Sequence, residues 1–370
     1  MPEVQEVFRM ATQKIRPEPG ALERQFQGQR RRAARRKTGA VALAAALAIV
    51  AGVIAIQAAR DTGDGGRVPV DKGTRKALLR VSGYGFGFST DGTRVFTRTD
   101  PSGAIYDADT GALLQTVSGR GEGVVAFSPD GSLFVTAKGN PACCHTYLDE
   151  TATGRELLHI RKACCFAAFS PDGRFVAVPR RGTSVIDLAT GEIVNRFAPW
   201  GAMAFSPDGE RLLVSPFPED AEEGVIAYVY DVRGGRSEPV QSLRADSGGG
   251  NVPDIFVDWV PWSADGSMVA VPTSTGRVVV WDARTGEQMF EIVPEAGKFV
   301  ATAFGPDDRL ATGSTDGTAI VWSLSGDAAE SVITIDAYDR RVDHVVFGQG
   351  DRLMTASWHR PTKVWSLHKR

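Results

Sequence analysis

All four cysteines of the 370-residue chain stand in two adjacent pairs, Cys143-Cys144 and Cys164-Cys165, and His145 directly follows the first pair. Three kinds of chemistry are open to such thiols. They can form one or two disulfides between the pairs, bind zinc or copper(I) together with His145, or remain free. The spacing matches no common zinc motif, so we predict no metal and no cofactor. Disulfides are expected if this part of the chain lies outside the cytoplasm.

Two further groups of residues are candidates for binding a partner. The first is an acidic run in a predicted loop, comprising Glu219, Asp220, Glu222 and Glu223. Such a run can attract a cation or a basic partner, although an acidic loop is often only solvated. The second group is Trp358 and Arg360, which flank His359 in another predicted loop.

No linear motif for catalysis is present in the sequence. There is no glycine-rich phosphate loop with Lys and Ser or Thr, no Gly-x-Ser-x-Gly elbow and no His-Glu-x-x-His. The spacing of the five histidines does not group them, and we expect His344 and His359 to be packing or surface residues. We therefore predict no catalytic residues and a protein that is not an enzyme.

A repeat of about 43 residues determines the predicted fold, since this period is typical of four-stranded propeller blades. An aromatic residue followed by a turn recurs seven times, at Phe88, Phe127, Phe169, Phe205, Trp262, Phe304 and Phe347. The segments between these anchors alternate in polarity or are rich in β-branched residues, as in Arg277-Val278-Val279-Val280-Trp281. This pattern favours β-strands over helical repeats.

A second anchor ends the predicted third strand of each repeat, and it carries a family resemblance. The dipeptides are Tyr106-Asp107, Leu148-Asp149, Ile186-Asp187, Tyr230-Asp231, Trp281-Asp282, Trp322-Ser323 and Trp365-Ser366. They resemble the Trp-Asp dipeptides that close WD40 repeats, although only Trp281-Asp282 matches literally. The resemblance covers residues 76–370 and implies an all-β, seven-bladed WD40-like propeller. The Gly-His dipeptide of the family is largely missing, so the blades resemble degenerate bacterial members, and the layout resembles membrane-anchored proteins of high-GC, actinobacterial-like origin.

The two ends of the repeat region are expected to share one blade. The chain ends in a third strand, Lys363–Leu367, without a fourth, while Ala77–Val81 precedes the first repeat and resembles a fourth strand. Pairing them would leave no open edge. In this topology the second-to-third strand loops and the blade connections share one face, which would carry both cysteine pairs and the acidic run.

The N-terminal part of the chain has the pattern of a membrane anchor. Residues 39–56 contain no charged side chain and follow the basic run Arg30–Lys37. About 20 apolar residues cross a bilayer, and cations favour the cytoplasmic side. We predict a basic cytoplasmic tail (1–38), a transmembrane helix (39–59), a flexible linker (60–75) and an extracytoplasmic propeller (76–370). The alternatives are a cleaved signal peptide and a buried core helix.

The charge distribution argues against nucleic acid as the partner of the propeller. The tail holds ten Lys or Arg against four Glu, so the rest of a chain with net charge -2 is acidic. The sequence then leaves two functional hypotheses. Either the propeller is a scaffold that binds an unidentified protein partner at the cell membrane, or its central channel binds or converts a small molecule.

Overall fold

The computed structural model describes residues 75–99, 102–119, 123–138, 145–161, 163, 166–216, 222–245, 261–325 and 328–368, and every regular element in them is a β-strand. The predicted membrane span 39–59, the linker up to residue 74 and all four cysteines lie outside these ranges. Within the ranges, no helix has the length and apolar character that crossing a membrane requires.

The strands follow one another in seven groups. Blades 1 to 4 and the strand before them comprise β1 (Leu79–Val81), β2 (Tyr84–Phe88), β3 (Arg94–Thr99), β4 (Ser102–Asp107), β5 (Leu113–Val117), β6 (Gly123–Phe127), β7 (Leu133–Lys138), β8 (His145–Glu150), β9 (Glu156–Arg161), β10 (Ala168–Phe169), β11 (Phe175–Pro179), β12 (Thr183–Asp187), β13 (Ile193–Phe197), β14 (Gly201–Phe205), β15 (Arg211–Pro216), β16 (Val225–Asp231) and β17 (Gln241–Arg244). Blades 5 to 7 comprise β18 (Met268–Pro272), β19 (Val278–Asp282), β20 (Gln288–Ile292), β21 (Phe299–Phe304), β22 (Arg309–Ser314), β23 (Thr318–Ser323), β24 (Glu330–Asp336), β25 (His344–Gly348), β26 (Arg352–Ala356) and β27 (Thr362–Ser366).

Each group forms one antiparallel sheet, and the seven sheets confirm the predicted seven-bladed propeller. Six sheets have four strands. In blade 5 the described part shows three strands, β18, β19 and β20, and a single bridge from Trp262 to Val269 marks the place of the innermost strand. The innermost strands of successive blades are neighbours, as β10 with β14, β21 with β25 and β25 with β2.

The hydrophobic core lies between the blades. Seven clusters of buried side chains each combine residues of two adjacent blades, one cluster for each blade interface. Trp281 of blade 5, for example, packs with Leu213 and Leu243 of blade 4. Both faces of a blade are therefore covered, which explains why many strands are apolar throughout rather than alternating.

The ring closes through the first strand, as predicted. In blade 7 the order is β1, β27, β26, β25, and β1 pairs antiparallel with β27 through Leu79↔Val364, Arg80↔Lys363 and Val81↔Thr362. Upstream, the Arg75 Nη1 atom donates to the carbonyl oxygen of Ser366 at 3.0 Å. The side chain of Val81 is 3% exposed and belongs to the cluster between blades 7 and 1.

The recurring turn between the first two strands of a blade depends on one aspartate. In blade 1, Asp91 Oδ1 accepts hydrogen bonds from the Ser89 hydroxyl (2.5 Å) and the Thr93 backbone N–H (3.0 Å), and Gly92 takes a φ of 71°. The same Ser-x-Asp-Gly geometry recurs in blades 2 to 5. Blade 6 lacks the glycine, and Asp307 and Asp308 themselves take positive φ values of 58° and 54°.

The closing dipeptide of blade 2 is shifted by one residue relative to the prediction. The backbone N–H of Glu150 donates to the carbonyl of Arg155. Asp107 and Asp282 make the equivalent hydrogen bond in their own blades, so Glu150 is the first residue of this turn in blade 2. Asp149 lies opposite Phe134 on the neighbouring strand, as Trp365 lies opposite Leu353 in blade 7. Asp149 therefore takes the position that Trp365 has in blade 7, and its side chain is buried. The assignment of Leu148-Asp149 to the dipeptide is therefore wrong, because a carboxylate in blade 2 occupies the place of an aromatic ring.

Ring closure can be tested with a buried charge. Val81→Asp places a carboxylate in the blade 7 cluster without a partner and should lower the free energy of unfolding by at least about 3 kcal/mol. Leu78→Asp, in the same segment but 47% exposed, should change it by less than about 0.5 kcal/mol. Urea unfolding of the full chain measures both variants. Equal effects would show that β1 does not complete blade 7.

Candidate binding pocket between the last and first blades

A pocket of about 400 Å³ lies where blade 7 meets blade 1. Three loops form it: the connection from β1 to β2, the end of β3, and the loop between β26 and β27. Its lining consists of Ser82, Gly83, Tyr84, Arg98, Thr99, Trp358, His359, Arg360 and Pro361. One of the three loops connects two blades, and the other two join the second strand of a blade to its third strand. The pocket therefore lies on the face that is predicted to carry the longer loops.

Trp358 forms the aromatic wall of the pocket and is 37% exposed. Its ring stacks on Tyr84 with 4.8 Å between centroids, and Tyr84 in turn stacks on His344 at 6.2 Å. The guanidinium carbon of Arg98 lies 5.8 Å from the centroid of the indole ring. Trp358 is thus held by Tyr84 and Arg98 of blade 1, and part of its surface remains available to a partner.

A tight turn presents Trp358 to the pocket. The Arg360 backbone N–H donates to the carbonyl of Ser357 at 3.1 Å, and His359 takes a φ of 61°. The Trp358 backbone N–H donates to Asp343 Oδ2 at 3.0 Å, and the buried Asp343 also pairs with Arg341. A left-handed residue other than glycine costs energy and persists only where its surroundings hold it. The turn is therefore preorganised.

Tyr338 fixes the end of the same loop. Its hydroxyl donates to the carbonyl of Thr355 (2.7 Å) in β26 and lies 3.0 Å from the carbonyl of Pro361. The Lys363 ammonium lies 4.3 Å from the centroid of the Tyr338 ring. Burial raises the pKa of Tyr338 to about 12 because an ionised phenolate would lose its hydration.

The opposite wall requires a glycine. Gly83 has a φ of 91°, and a Cβ atom there would lie 2.4 Å from the carbonyl oxygen of Arg98. The Thr362 hydroxyl donates to the Gly83 carbonyl at 2.7 Å. The connection from β1 to β2 is therefore held against β3 on one side and β27 on the other.

Arginines supply the charge of the pocket. Among the lining residues that the structure describes, Arg98 and Arg360 are the charged ones and none is acidic. Arg360 pairs with Asp339 at 2.6 Å just outside the lining, and both side chains are largely exposed (44% and 68%). The groups that converge here are suited to binding an anion and a flat or apolar side chain.

The structure separates the predicted partner-binding residues. Trp358 and Arg360 line the pocket together. Glu222 instead pairs with Arg244 at 2.8 Å, and Arg244 also donates to the Glu223 carbonyl. Arg244 therefore offsets part of the predicted acidic run, while Glu219 and Asp220 lie outside the described residues.

Histidines next to the cysteine pairs interact with each other. His145 Nδ1 lies 2.8 Å from His159 Nε2, and Tyr147 stacks on His159 at 4.6 Å. Cys143, Cys144, Cys164 and Cys165 lie outside the described residues, so the disulfide prediction stays a prediction. In the described part of the chain, no three His, Cys, Asp or Glu side chains cluster as metal ligands would.

Sequence reasoning missed Tyr84, Arg98 and Tyr338 as parts of the site. Tyr84 and Arg98 belong to blade 1, nearly the whole repeat region away from Trp358 in sequence. Only closure of the ring brings them together. His344 was expected to be a packing residue, and it is buried with Nδ1 2.9 Å from the Gly85 carbonyl. His359 lies on the surface at the rim of the pocket.

Comparisons with known proteins agree with this architecture. Residues 296–323, which contain β21 to β23 of blade 6, match the family model described as "WD domain, G-beta repeat". The chain is also similar to a chain of the solved structure titled "Crystal Structure of Mitotic Checkpoint Complex", with a TM-score of 0.63. The two share 18% sequence identity, and the match covers 83% of this chain and 97% of that chain. At this identity the likeness establishes the fold alone.

The anchor of the pocket loop can be tested with Tyr338→Phe. Removing the hydroxyl should lower the free energy of unfolding by about 1 kcal/mol near neutral pH. The raised pKa means that the folded state holds this proton more tightly than the unfolded chain. The contribution of the Tyr338 hydroxyl to the free energy of unfolding is complete below its ordinary pKa of 10.0 and is lost as the pH rises through its folded-state pKa of about 12.

The difference between wild type and Tyr338→Phe should therefore narrow in urea unfolding at about pH 11 compared with about pH 8. Thr362→Val, which removes a hydroxyl that does not ionise, is the control and should show no such narrowing. A constant difference for Tyr338→Phe would contradict the assigned burial.

Proposed function

We propose that this chain is a single-pass membrane protein of bacterial origin whose WD40-like propeller binds a protein partner outside the cytoplasm. WD40 propellers are generally scaffolds for protein interaction rather than catalysts, and the match in blade 6 supports that class here. The observation that carries the proposal is the preorganised pocket around the exposed Trp358. We infer binding without turnover.

The geometry of the pocket supports a protein as the ligand. Tryptophan and arginine are the residues most often found at the energetic centres of protein interfaces. Both protrude here from a turn whose backbone is already fixed by Asp343 and Tyr338. A partner would gain contacts with them at little cost in ordering the propeller.

Membrane anchoring is supported by the sequence of the N-terminal part. Residues 39–56 are free of charge and follow six cations between residues 30 and 37. A helix of this kind orients with its cationic end in the cytoplasm. In this arrangement the propeller would stand on the outer side, where its binding face is open to proteins of the envelope.

The described neighbours of the cysteines support a disulfide between the two pairs. His145 and Arg161 are paired across β8 and β9, and the Thr146 hydroxyl donates to the Ala163 carbonyl at 2.9 Å. Cys144 directly precedes His145, and Cys164 directly follows Ala163. The described residues next to the two pairs thus lie near each other at the end of the β8–β9 strand pair, which supports a disulfide between the pairs.

The oxidation state tests the proposed location. In membranes prepared with acid quenching, reduction should increase the number of cysteines of the full chain that react with polyethylene glycol maleimide by two or four, because an oxidising compartment converts them to one or two disulfides. The variant with all four cysteines changed to serine is the control and should never react. Reaction of all four cysteines before reduction would contradict the disulfides, and reaction released by a chelator would indicate a bound metal instead.

Partner capture tests the scaffold. The full chain, purified in detergent and tethered, should retain a partner from solubilised envelope, and Trp358→Ala should weaken retention about 30-fold, as loss of a central tryptophan typically costs 2 kcal/mol or more. Leu113→Ala removes an exposed apolar side chain from the outer strand of blade 1 and should retain the partner. Equal retention by wild type and Trp358→Ala would exclude this pocket as the binding site.

A further inference from the structure

We propose that the pocket binds an acidic peptide segment, with a Glu or Asp carboxylate between the guanidinium groups of Arg98 and Arg360 and an apolar or aromatic side chain against Trp358. This inference rests on the proposed function and specifies the chemistry of the partner. It follows from the charge, the aromatic wall and the size of the pocket.

Positive charge is concentrated around the pocket although the propeller as a whole is acidic. Behind Arg360, Lys363 and Arg80 are cross-strand partners in β27 and β1. The pKa of Lys363 is lowered, first by burial and then by the nearby Arg80. A cationic patch on an acidic domain favours an anion at this place, while the surrounding charge disfavours nucleic acid, which needs cations across a wide surface.

The ion pair at the rim can exchange its partner at small cost. Arg360 and Asp339 are exposed to solvent, and pairs of this kind contribute only about 0–1 kcal/mol. A carboxylate that enters the pocket is partly shielded from water and forms charge-assisted hydrogen bonds to guanidinium, which are stronger than neutral ones. Arg360 can therefore turn from Asp339 to a ligand.

The aromatic wall determines what accompanies the carboxylate. Trp358 is backed by Tyr84, so a flat or apolar side chain can cover its exposed part and remove apolar surface from water. A volume of about 400 Å³ holds one or two side chains rather than a folded element. A short extended segment with an acidic and an apolar residue close together fits these limits.

Labelled peptides test the inference directly. The probes are fluorescein-labelled twelve-residue Gly/Ser peptides that carry one Phe and, one to four residues later, Glu, Gln, Lys or phosphoserine. Fluorescence anisotropy with the full chain in detergent should detect binding of at least one Glu peptide. Its Gln counterpart should bind at least about 10-fold more weakly, a difference of about 1.4 kcal/mol.

Variants of the protein assign the charge contact. Arg98→Gln and Arg360→Gln should each weaken binding of the Glu peptide at least fivefold more than binding of the Gln peptide. Arg155→Gln removes an equal charge from the turn between β8 and β9, where Arg155 lies near Glu150 at 3.7 Å, and should have no effect. Free glutamate should not compete at concentrations where the unlabelled peptide does.

Several results would contradict the proposal that the pocket binds an acidic peptide segment. These are equal binding of Glu and Gln peptides, preference for Lys, binding of phosphoserine alone, competition by free glutamate, or no binding of any peptide. The capture experiment remains separate. A partner lost with Trp358→Ala but retained by Arg98→Gln and Arg360→Gln would refute the acidic segment and leave the scaffold function standing.

Discussion

Pairing of β1 with β27 is the constraint on which the rest of the structure depends. An open ring would expose two sheet edges and leave one of the seven inter-blade clusters without its second wall. The closing strand leads directly into Ser82 and Gly83, which form one side of the pocket. The same backbone pairing therefore completes the core and brings the first and last blades together at the candidate binding pocket. Stability and the candidate function depend on one three-residue strand.

The pocket combines a strained turn with strong local supports. His359 adopts a left-handed conformation, and the backbone on either side of it is fixed by Asp343 and by the hydroxyl of Tyr338. Asp343 is buried and paired with Arg341, so the carboxylate that orients Trp358 is itself held in place. Such layered support reduces the entropy lost on binding. Trp358 and the turn that carries it are thus held in one conformation without a partner, as the proposed binding requires.

The repeat tolerates departures where the backbone supplies an alternative. Blade 6 lacks glycine in its first turn, and two aspartates take the positive φ values instead, since Asp accepts this conformation more readily than most residues. Blade 2 has the buried Asp149 where five of the other blades carry an aromatic ring and blade 3 carries Ile186, and the Thr136 hydroxyl donates to Asp149 at 3.4 Å. In blade 7 the equivalent threonine accepts a hydrogen bond from the indole N–H of Trp365. Both blades therefore keep a threonine as the hydrogen-bond partner, although blade 2 has a carboxylate in place of the indole ring.

The sequence by itself determined the blade count, the shared last blade and the face that carries the longer loops, because aromatic anchors, turn residues and strand lengths are local signals that repeat with the blade period. It also named Trp358 and Arg360 as candidate partner-binding residues, which stays a prediction. Tertiary structure alone decided which residues surround them: Tyr84 and Arg98 reach Trp358 only through ring closure, and Tyr338 reaches Pro361 only through the packing of blade 6 against blade 7. It also showed that Arg244 offsets the Glu222 charge. Contacts between residues distant in the chain depend on how blades pack, and no local pattern encodes them.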